Sequence, residues 1–459
     1  MKKTAAVVVA VLLGMVAILG AASYWLGIRA RQTYETLLRQ TGRDAGFVVT
    51  NLRFQSGLLS STAVATIAVP GLPADISVVS HIRPGPLPEI TRLGFMPGMA
   101  MVTTRLTVSS PALASFKPVT AHTMVYLAGN SVTNLNIPAY KRIVPHGGGG
   151  FSWGPATGKI VVGADQGTVN GNIDCPLAQL EGSKNPVSLS QVTFSWMRQP
   201  GVPGLDESSL SIGRISRPGP AGPVGIQGLQ INLSKQHQAG DVAARFAMHV
   251  RMVSDGNSSY GPGQLLVQIS KLDSASLAGF QRSTQMLARQ HLPANRMSAA
   301  LLARTAGLLR ALARKAPELE ITRFGLKVDG SEVAGKGKFV LDGTDISGSG
   351  YPDLLLRAVN GTAELLVPRA VVADVATDEI HRRLDTYKTQ GTLTPDEVSR
   401  LTPPRVARIV HNALPAYMAQ IASRWHLASA GADYMLTVAI HQGQLLINGQ
   451  PEISGQATH

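Results

Sequence analysis

Apolar and polar positions alternate with a period of two along residues 46–269. Leu229, Ile231 and Leu233, for example, are separated by polar residues. This period predicts antiparallel strands that bury one face and leave the other face in water. Stretches rich in proline and glycine, such as residues 216–225, separate these runs and predict long irregular connections.

One predicted strand, residues 187–196, departs from this alternation. Its apolar positions change phase at Gln191, with Val187 and Leu189 before it and Val192 and Phe194 after it. A change of phase within one strand is typical of a β-bulge. We therefore predict a bulge at Gln191.

Helical periodicity replaces the alternation from Ser274 onward, first to Pro293 and then over residues 295–315. The second segment has an apolar stripe of Leu301, Leu302, Leu308, Leu309 and Leu312. The two segments predict a helical hairpin. The second segment is also basic, with Arg296, Arg304, Arg310, Arg314 and Lys315. A basic amphipathic helix can lie on an anionic membrane surface, and a solvated face opposite a core stripe is the alternative interpretation.

The remaining residues predict a mixture of strands and helices. Thr394 and Glu397 have the spacing of a capping box, with Pro395 at the first helical position. Residues 434–440 and 444–450 predict a terminal hairpin.

The predicted fold class is α+β and β-rich: an N-terminal transmembrane helix, then a long, mostly antiparallel curved sheet with helical hairpins packed on it. The expected divisions are an anchor over residues 1–28, a β-rich region over residues 29–272 and an α+β region over residues 273–459.

The anchor is predicted from residues 4–28, which carry no charge. As a helix this run would be about 37 Å long, more than the roughly 30 Å hydrocarbon core of a bilayer and longer than a secretory signal requires. We therefore expect a retained anchor rather than a cleaved signal. Its apolar body includes Leu12, Leu13, Val16 and Leu19, and Tyr24 and Trp25 are suited to the membrane interface.

The charges that flank the anchor are nearly balanced and do not fix its orientation. A long domain can be translocated whatever its charge, whereas a short N-terminus stays in the cytoplasm. We therefore expect a single-pass protein of the bacterial inner membrane with its body in the periplasm.

Composition indicates a folded body and anionic partners. Apolar residues make up 44% of the chain and charged residues 15%, which is typical of a globular protein. The formal net charge of +14 favours phospholipid headgroups or acidic saccharide, and no basic and aromatic pattern predicts nucleic-acid binding. The single cysteine, Cys175, excludes an intrachain disulfide and a thiolate metal cluster.

No sequence motif amounts to a catalytic, cofactor or metal site. Residues 330–336 match most of a phosphate-binding loop, but Gly337 stands where a hydroxyl must hold magnesium, so we predict a hairpin turn. Residues 146–150 resemble an esterase oxyanion loop, yet the chain has no G-x-S-x-G nucleophile motif. The histidines form no H-E-x-x-H pair, and we read His249 as a solvated residue on the polar face of its strand.

Several stretches, in their order, resemble the YdgA-like family of Gram-negative envelope proteins. The chain is similar to that family in its anchor, in an element containing His81, Gly85, Pro86 and Pro88, and in an L-D-x-A-x-L stretch that begins at Leu272. Its terminal L-x-x-N-G-x-P also resembles the family pattern, whereas Pro84 stands where that pattern has histidine. The resemblance implies a periplasmic protein tethered to the inner membrane, with no established reaction and no catalytic residues to assign.

The leading hypothesis is a noncatalytic envelope protein that uses an apolar groove or surface to handle lipid or to maintain the envelope. One alternative is a hydrolase of envelope polymers whose carboxylates converge only in the fold. Another is a scaffold or assembly factor that acts through protein partners. We predict no cofactor.

Overall fold

A computed structural model shows a β-rich protein. The structure describes residues 48–57, 60–68, 75–84, 90–91, 94–95, 99–109, 116–143, 150–165, 167–181, 186–199, 206–219, 222–238, 240–255, 258–288, 294–342, 358–392, 394–441 and 444–451. The predicted anchor, including Leu12, Leu13, Val16, Leu19, Tyr24 and Trp25, lies outside the described residues, as do Gly85, Pro86 and Pro88. Within the described residues, no helix combines the length and apolarity needed to cross a membrane.

The chain divides into two compact units. The first comprises the described residues up to Pro218 together with Asn232–Lys235 and Ala278–Thr305; the second comprises Gly219–Ile231, Gln236–Leu277 and the described residues from Ala306 onward. In the described residues, hydrogen bonding joins 23 strands into one sheet, and two short strands pair separately.

The first unit contains fourteen described strands. They are β1 (Val48–Ser56), β2 (Ser61–Ala68), β3 (Asp75–Pro84), β4 (Ile90–Thr91), β5 (Gly94–Phe95), β6 (Ala100–Ser109), β7 (Val119–Val125), β8 (Ser131–Ile137), β9 (Tyr140–Ile143), β10 (Gly150–Trp153), β11 (Ala156–Val162), β12 (Val169–Glu181), β13 (Val187–Arg198) and β14 (Glu207–Arg217). Antiparallel pairing gives the order β1-β2-β3-β6-β7-β8-β11-β12-β13-β14. The β9–β10 hairpin pairs with the second half of β12.

Alternation places apolar side chains on one face of this sheet. On β2 the buried positions are every second residue, including Ala63 and Ala65 at 0% exposure. They pack with neighbours such as Val78 on β3 and Phe54 on β1. Residues of β6, such as Ala100, belong to the same clusters, so β1, β2, β3 and β6 share a hydrophobic core.

The remaining strands are β15 (Val224–Gln238), β16 (Asp241–Val250), β17 (Met252–Asp255), β18 (Ser258–Asp273), β19 (Glu318–Val328), β20 (Ser331–Leu341), β21 (Val359–Pro368), β22 (Ala428–Ala430), β23 (Asp433–His441), β24 (Gln444–Ile447) and β25 (Gln450–Pro451). The second unit has the antiparallel order β16-β18-β19-β20-β21-β23-β24-β25. β17 pairs with the start of β18 on one edge and with β15 on the other, and β22 pairs with β23.

The described helices are α1 (Ser274–Ala288), α2 (Ala294–Ala313), α3 (Arg369–Thr389), α4 (Pro395–Ser399) and α5 (Pro403–Arg424). α3 and α5 cover one end of the second unit's sheet. Val371 and Val372 of α3 join Val328 and Val367 in a buried cluster, against which Met418 of α5 also packs. This cluster is the hydrophobic core that holds the two helices on the sheet.

Most local predictions are confirmed. Two consecutive helices, α1 and α2, occur where the helical hairpin was predicted, and an Nη1 of Arg304 donates to the carbonyl of Ser283 at 2.7 Å. The leucine stripe is only partly buried: Leu312 is 7% exposed, and Leu302 is 59% exposed. The capping box is present: the Glu397 amide donates to the Thr394 side chain, and the Glu397 carboxylate accepts from the Thr394 amide. The β-rich class is confirmed as one large antiparallel sheet with few helices.

The predicted bulge at Gln191 takes a different form. β13 keeps the same register on both sides of this residue, so no extra residue is inserted. Instead Gln191 adopts a left-handed backbone with φ of 54°. Its side chain crosses to Gly213 on β14, where a Cβ atom would collide with the Gln191 amide. The phase change in the sequence therefore reflects a left-handed residue opposite a glycine rather than an insertion.

Candidate apolar binding surface

The segment Gly335-Lys336-Gly337-Lys338 on β20 contributes to a cavity on the apolar face of the second unit. Successive side chains of a strand point to opposite faces, so the two glycines lie on one face and the two lysines on the other. Glycine has no side chain, and the apolar face is therefore indented along β20. The hairpin that leads into this segment turns at Asp329 and Gly330, which both have positive φ. Residues 330–336 therefore begin with a hairpin turn, as predicted, and not with a phosphate-binding loop.

Neighbouring strands supply the walls of this indentation. Gly335 is in register with Phe324 of β19 and Leu365 of β21, and Leu365 is in register with Leu436 of β23. One row further along, Gly337 is in register with Ile321 and Ala363. We call this cavity the apolar trough; its lining includes Leu265, Ile321, Phe324, Ala363, Leu365, Leu436 and Val438.

The apolar trough has a volume of about 170 Å³. That is below the roughly 300–1,000 Å³ of a typical small-molecule pocket, so it matches an alkyl segment better than a whole ligand. The residues that form its walls are half-buried. The next apolar position on β21, Val367, is buried, because residues of α3 and α5 pack against it. The apolar face thus continues past the described helices that cover its end.

The opposite face of the same strands is polar and charged. Lys336 pairs with Glu364 at 3.4 Å, and Lys338 pairs with Glu318 at 3.0 Å. Glu318 also pairs with Lys271, and the hydrogen bonds from Lys271 and then Lys338 lower the pKa of Glu318. The contrast between the two faces makes this sheet amphipathic and marks the trough face as the one suited to apolar contact.

The first unit also has aromatic side chains on its apolar face. Trp196 of β13 lies over Gly171 of β12, so that a Cβ atom at Gly171 would collide with the indole. Phe194 stacks on Trp196 with ring centroids 5.5 Å apart and is 37% exposed. This pair is a second place where apolar surface is accessible on a described strand.

The structure places few of the residues singled out from the sequence in a site. His81 is exposed on β3, and its Nδ1 lies 3.2 Å from the Thr62 hydroxyl. The Cys175 thiol contacts the carbonyl oxygen of Leu177 at 3.3 Å. Among the described residues, no group of three or more His, Cys, Asp or Glu residues could hold a metal ion.

Among the described residues, one carboxyl group has a raised pKa. Burial, followed by the nearby charges of Asp329 and Asp378, raises the pKa of Asp374 on α3. Asp374 does not line the apolar trough, which is formed from the sheet. This acidic group therefore does not add chemistry to the candidate site.

Sequence reasoning missed the apolar trough. The sequence signal is the alternation of glycine and lysine from Gly335 to Lys338, which by itself predicts only a strand. The register that brings Phe324, Leu365 and Leu436 beside these glycines depends on pairing between strands, one of which is distant in the chain.

Two short patterns used for the family resemblance have structural explanations. Asp273 of the L-D-x-A-x-L stretch ends β18, and its carboxylate accepts from the Ser276 amide at 2.8 Å and the Ser276 hydroxyl at 2.6 Å at the start of α1. The side-chain bond and then the backbone bond from Ser276 lower the Asp273 pKa. Asn448 and Gly449 of L-x-x-N-G-x-P turn the β24–β25 hairpin with φ of 49° and 77°.

Comparisons with known proteins agree with a family assignment and add no activity. Neither the curated proteins nor the solved structures gave a significant match. A family model described as a bacterial protein of unknown function, DUF945, matches residues 1–452. Because this match spans nearly the whole sequence, the chain belongs to the DUF945 family of bacterial proteins.

Proposed function

We propose that this is a noncatalytic envelope protein, anchored in the bacterial inner membrane with its body in the periplasm, whose apolar trough binds an acyl chain of a lipid. The observation that carries the proposal is the indented, half-buried apolar face along Gly335 and Gly337. Apolar surface that remains accessible on a folded protein commonly marks a site for an apolar partner.

The sequence supports a location beside a membrane. Residues 4–28 have the length and composition of a spanning helix, and the net charge of +14 suits anionic lipid headgroups. The more specific YdgA-like assignment is also part of the proposal. It is supported by the order of the motifs, two of which, around Asp273 and Asn448, have a structural role as a helix cap and a turn.

The lining of the trough suits an acyl chain better than a polar headgroup. Most of its lining consists of leucine, isoleucine, valine and phenylalanine side chains, which offer no hydrogen bonds to a polar ligand. The lining also includes Lys336 and Glu364, whose charges pair with each other at 3.4 Å. An alkyl segment laid over the glycines would replace water on this surface, which is favourable by roughly 25 cal/mol per Å² of apolar area buried.

Ala363→Leu would test the trough directly by filling it from within. Ala363 faces the trough between Gly337 and Val438, whereas its neighbour Thr362 is exposed on the opposite face of β21. We expect full-length protein in a neutral detergent to bind a fluorescent 16-carbon fatty acid and Ala363→Leu to weaken binding by about tenfold.

Thr362→Leu is the matched control, since it adds apolar volume one residue away on the polar face. It should bind the fatty acid like the natural protein. Equal binding by natural protein and Ala363→Leu, with both variants folded, would refute the assignment of the trough as the lipid site.

A further inference from the structure

A second cavity, of about 510 Å³, lies on the polar side of the second unit's sheet. We call it the basic hollow. Its charged and polar lining consists of His249, Arg251, Gln264, Arg323, Lys327 and Glu332. None of these residues lines the apolar trough, so the basic hollow is a separate feature.

Gly325 of β19 stands among residues that line the hollow. It is in register with Gln264 of β18, which is itself in register with His249 of β16. Arg323 and Lys327 stand two residues before and after Gly325, so their side chains leave the strand on the same face. A Cβ atom at Gly325 would lie 2.7 Å from Oε1 of Glu332, so a side chain there would displace this carboxylate.

Two neighbours hold the Arg323 guanidinium in place. With its amide oxygen turned toward Arg323, Gln264 accepts from Nε at 2.6 Å and from Nη2 at 2.9 Å. Oε1 of Glu332 lies 3.4 Å from the same Nη2. A guanidinium has five N–H donors, so these contacts orient the group and leave the two donors of Nη1 for a ligand.

Arg251 is positioned by a glycine. Gly228 of β15 has a left-handed backbone with φ of 63°, and a Cβ atom there would lie 2.9 Å from the Arg251 Cβ. The stem of Arg251 therefore rests against the bare backbone of Gly228. A larger residue at this position would be strained and would push Arg251 away.

The charges in the hollow are unbalanced. Arg251, Arg323 and Lys327 are basic, and Glu332 is the one acidic residue among the described lining residues, which also include His249. Cations gathered in one cavity repel each other, and that repulsion is relieved when an anion binds between them.

We infer that the basic hollow binds the phosphate group of a phosphate ester. Two guanidinium groups and an ammonium group suit an anion with several oxygens, because arginine can donate two parallel hydrogen bonds to it. The volume of about 510 Å³ exceeds the need of a bare phosphate and lies within the roughly 300–1,000 Å³ range of organic ligands. The ester could be a soluble compound or a phospholipid headgroup, which share this chemistry.

Calorimetric titration of the full-length protein in a neutral detergent with glycerol 3-phosphate would test this inference. We expect saturable binding, and an affinity about tenfold or more lower for the double variant Arg251→Gln, Arg323→Gln, which removes both guanidinium groups. Binding should also weaken as salt is added, since charge attraction contributes to it. Adding phosphatidylglycerol to the micelles, with diacylglycerol as the phosphate-free comparison, identifies the source.

Displacement of glycerol 3-phosphate by phosphatidylglycerol but not by diacylglycerol would support a headgroup site, and no displacement would support a soluble ester.

Lys336→Gln is the matched control, because it removes one cation from the same face outside the hollow, and it should change the affinity by less than about twofold. If the double variant does not fold, Lys327→Gln, at an exposed position, takes its place and should still lower the affinity. Absence of binding by the natural protein, or an equal loss in Lys336→Gln, would overturn the inference.

Discussion

At the scale of single residues, Asn448 shows how one side chain joins separate segments. Its side-chain Oδ1 accepts from the backbone N–H of Thr437 at 2.7 Å, and its side-chain Nδ2 donates to the carbonyl oxygen of His426. The backbone N–H of Asn448 also donates to the carbonyl oxygen of Thr437 at 2.7 Å. The terminal hairpin, β23 and the segment after α5 therefore meet at one amide group. A buried or half-buried backbone group left without such a partner is costly.

Asn448→Ala should accordingly lower the free energy of unfolding by about 1–3 kcal/mol. Urea denaturation of the natural protein and the variant, followed by circular dichroism, measures this difference. Gln444→Ala, an exposed position on β24, is the control and should change stability little. A variant at Asn448 as stable as the natural protein would show that the three segments do not depend on this amide.

Asp374 gives a prediction with a pH dependence. Burial, and then Asp329 and Asp378, raise its folded-state pKa above the ordinary value of 3.8. Folding therefore favours the protonated form of Asp374. The contribution of this form to the free energy of unfolding is fully present below pH 3.8 and is lost as pH rises through the raised pKa.

Asp374→Asn should therefore be more stable than the natural protein at pH 7, and the difference should shrink as pH falls toward 4. Urea midpoints measured across this range test it. Asp385→Asn, which removes an exposed carboxylate that pairs with Lys388 at 2.8 Å, should show no such gain. A gain at Asp374 that is the same at every pH would contradict the electrostatic explanation.

At the scale of elements, the sequence period predicted the strands and helices but not all the contacts between them. Alternation predicted that β16 has a polar face carrying His249, and the capping box predicted the start of α4. A period does not say which strand lies beside which. The pairing of β21 with β23, and of β8 with β11, joins segments separated by other elements in the chain, and these contacts depend on long-range packing.

Both candidate sites depend on contacts between strands that the sequence pattern does not predict. The apolar trough needs β19, β20, β21 and β23 to lie side by side, and the basic hollow needs Gly228 of β15 beside Arg251. The glycines were visible in the sequence, but what they face was not. The irregular step in β19 between Ile321 and Phe324 coincides with a change of phase in its apolar positions, which lie at Leu319 before the step and at Leu326 after it.

The contact of Trp196 with Gly171 offers a test of packing between β12 and β13. Gly171→Val should lower the free energy of unfolding by about 1–3 kcal/mol, because the new side chain enters space that the indole occupies. In the double variant Gly171→Val, Trp196→Ala that clash is absent, so the cost of the valine should fall. Additive losses in a double-mutant cycle would show that the two positions do not interact.

At the scale of the whole molecule, the chain combines a predicted membrane anchor with a body that has accessible apolar surface. Within the described residues, large side chains such as Phe194 and Leu302 are more than a third exposed, and the trough is lined by further half-buried apolar groups. Such surface is a cost in water and an advantage beside a lipid. The proposed function therefore depends on an acyl chain being bound in the trough.

Mass spectrometry of lipid that copurifies with the full-length protein measures whether the trough is occupied. Leu436→Glu places a charge in the trough, whereas Met435→Glu places the same charge on the opposite, exposed face of β23. We expect bound lipid in the natural protein and in Met435→Glu, and a loss of most of it in Leu436→Glu. Equal lipid in folded Leu436→Glu and Met435→Glu, or no lipid in the natural protein, would refute an acyl-chain site in the trough.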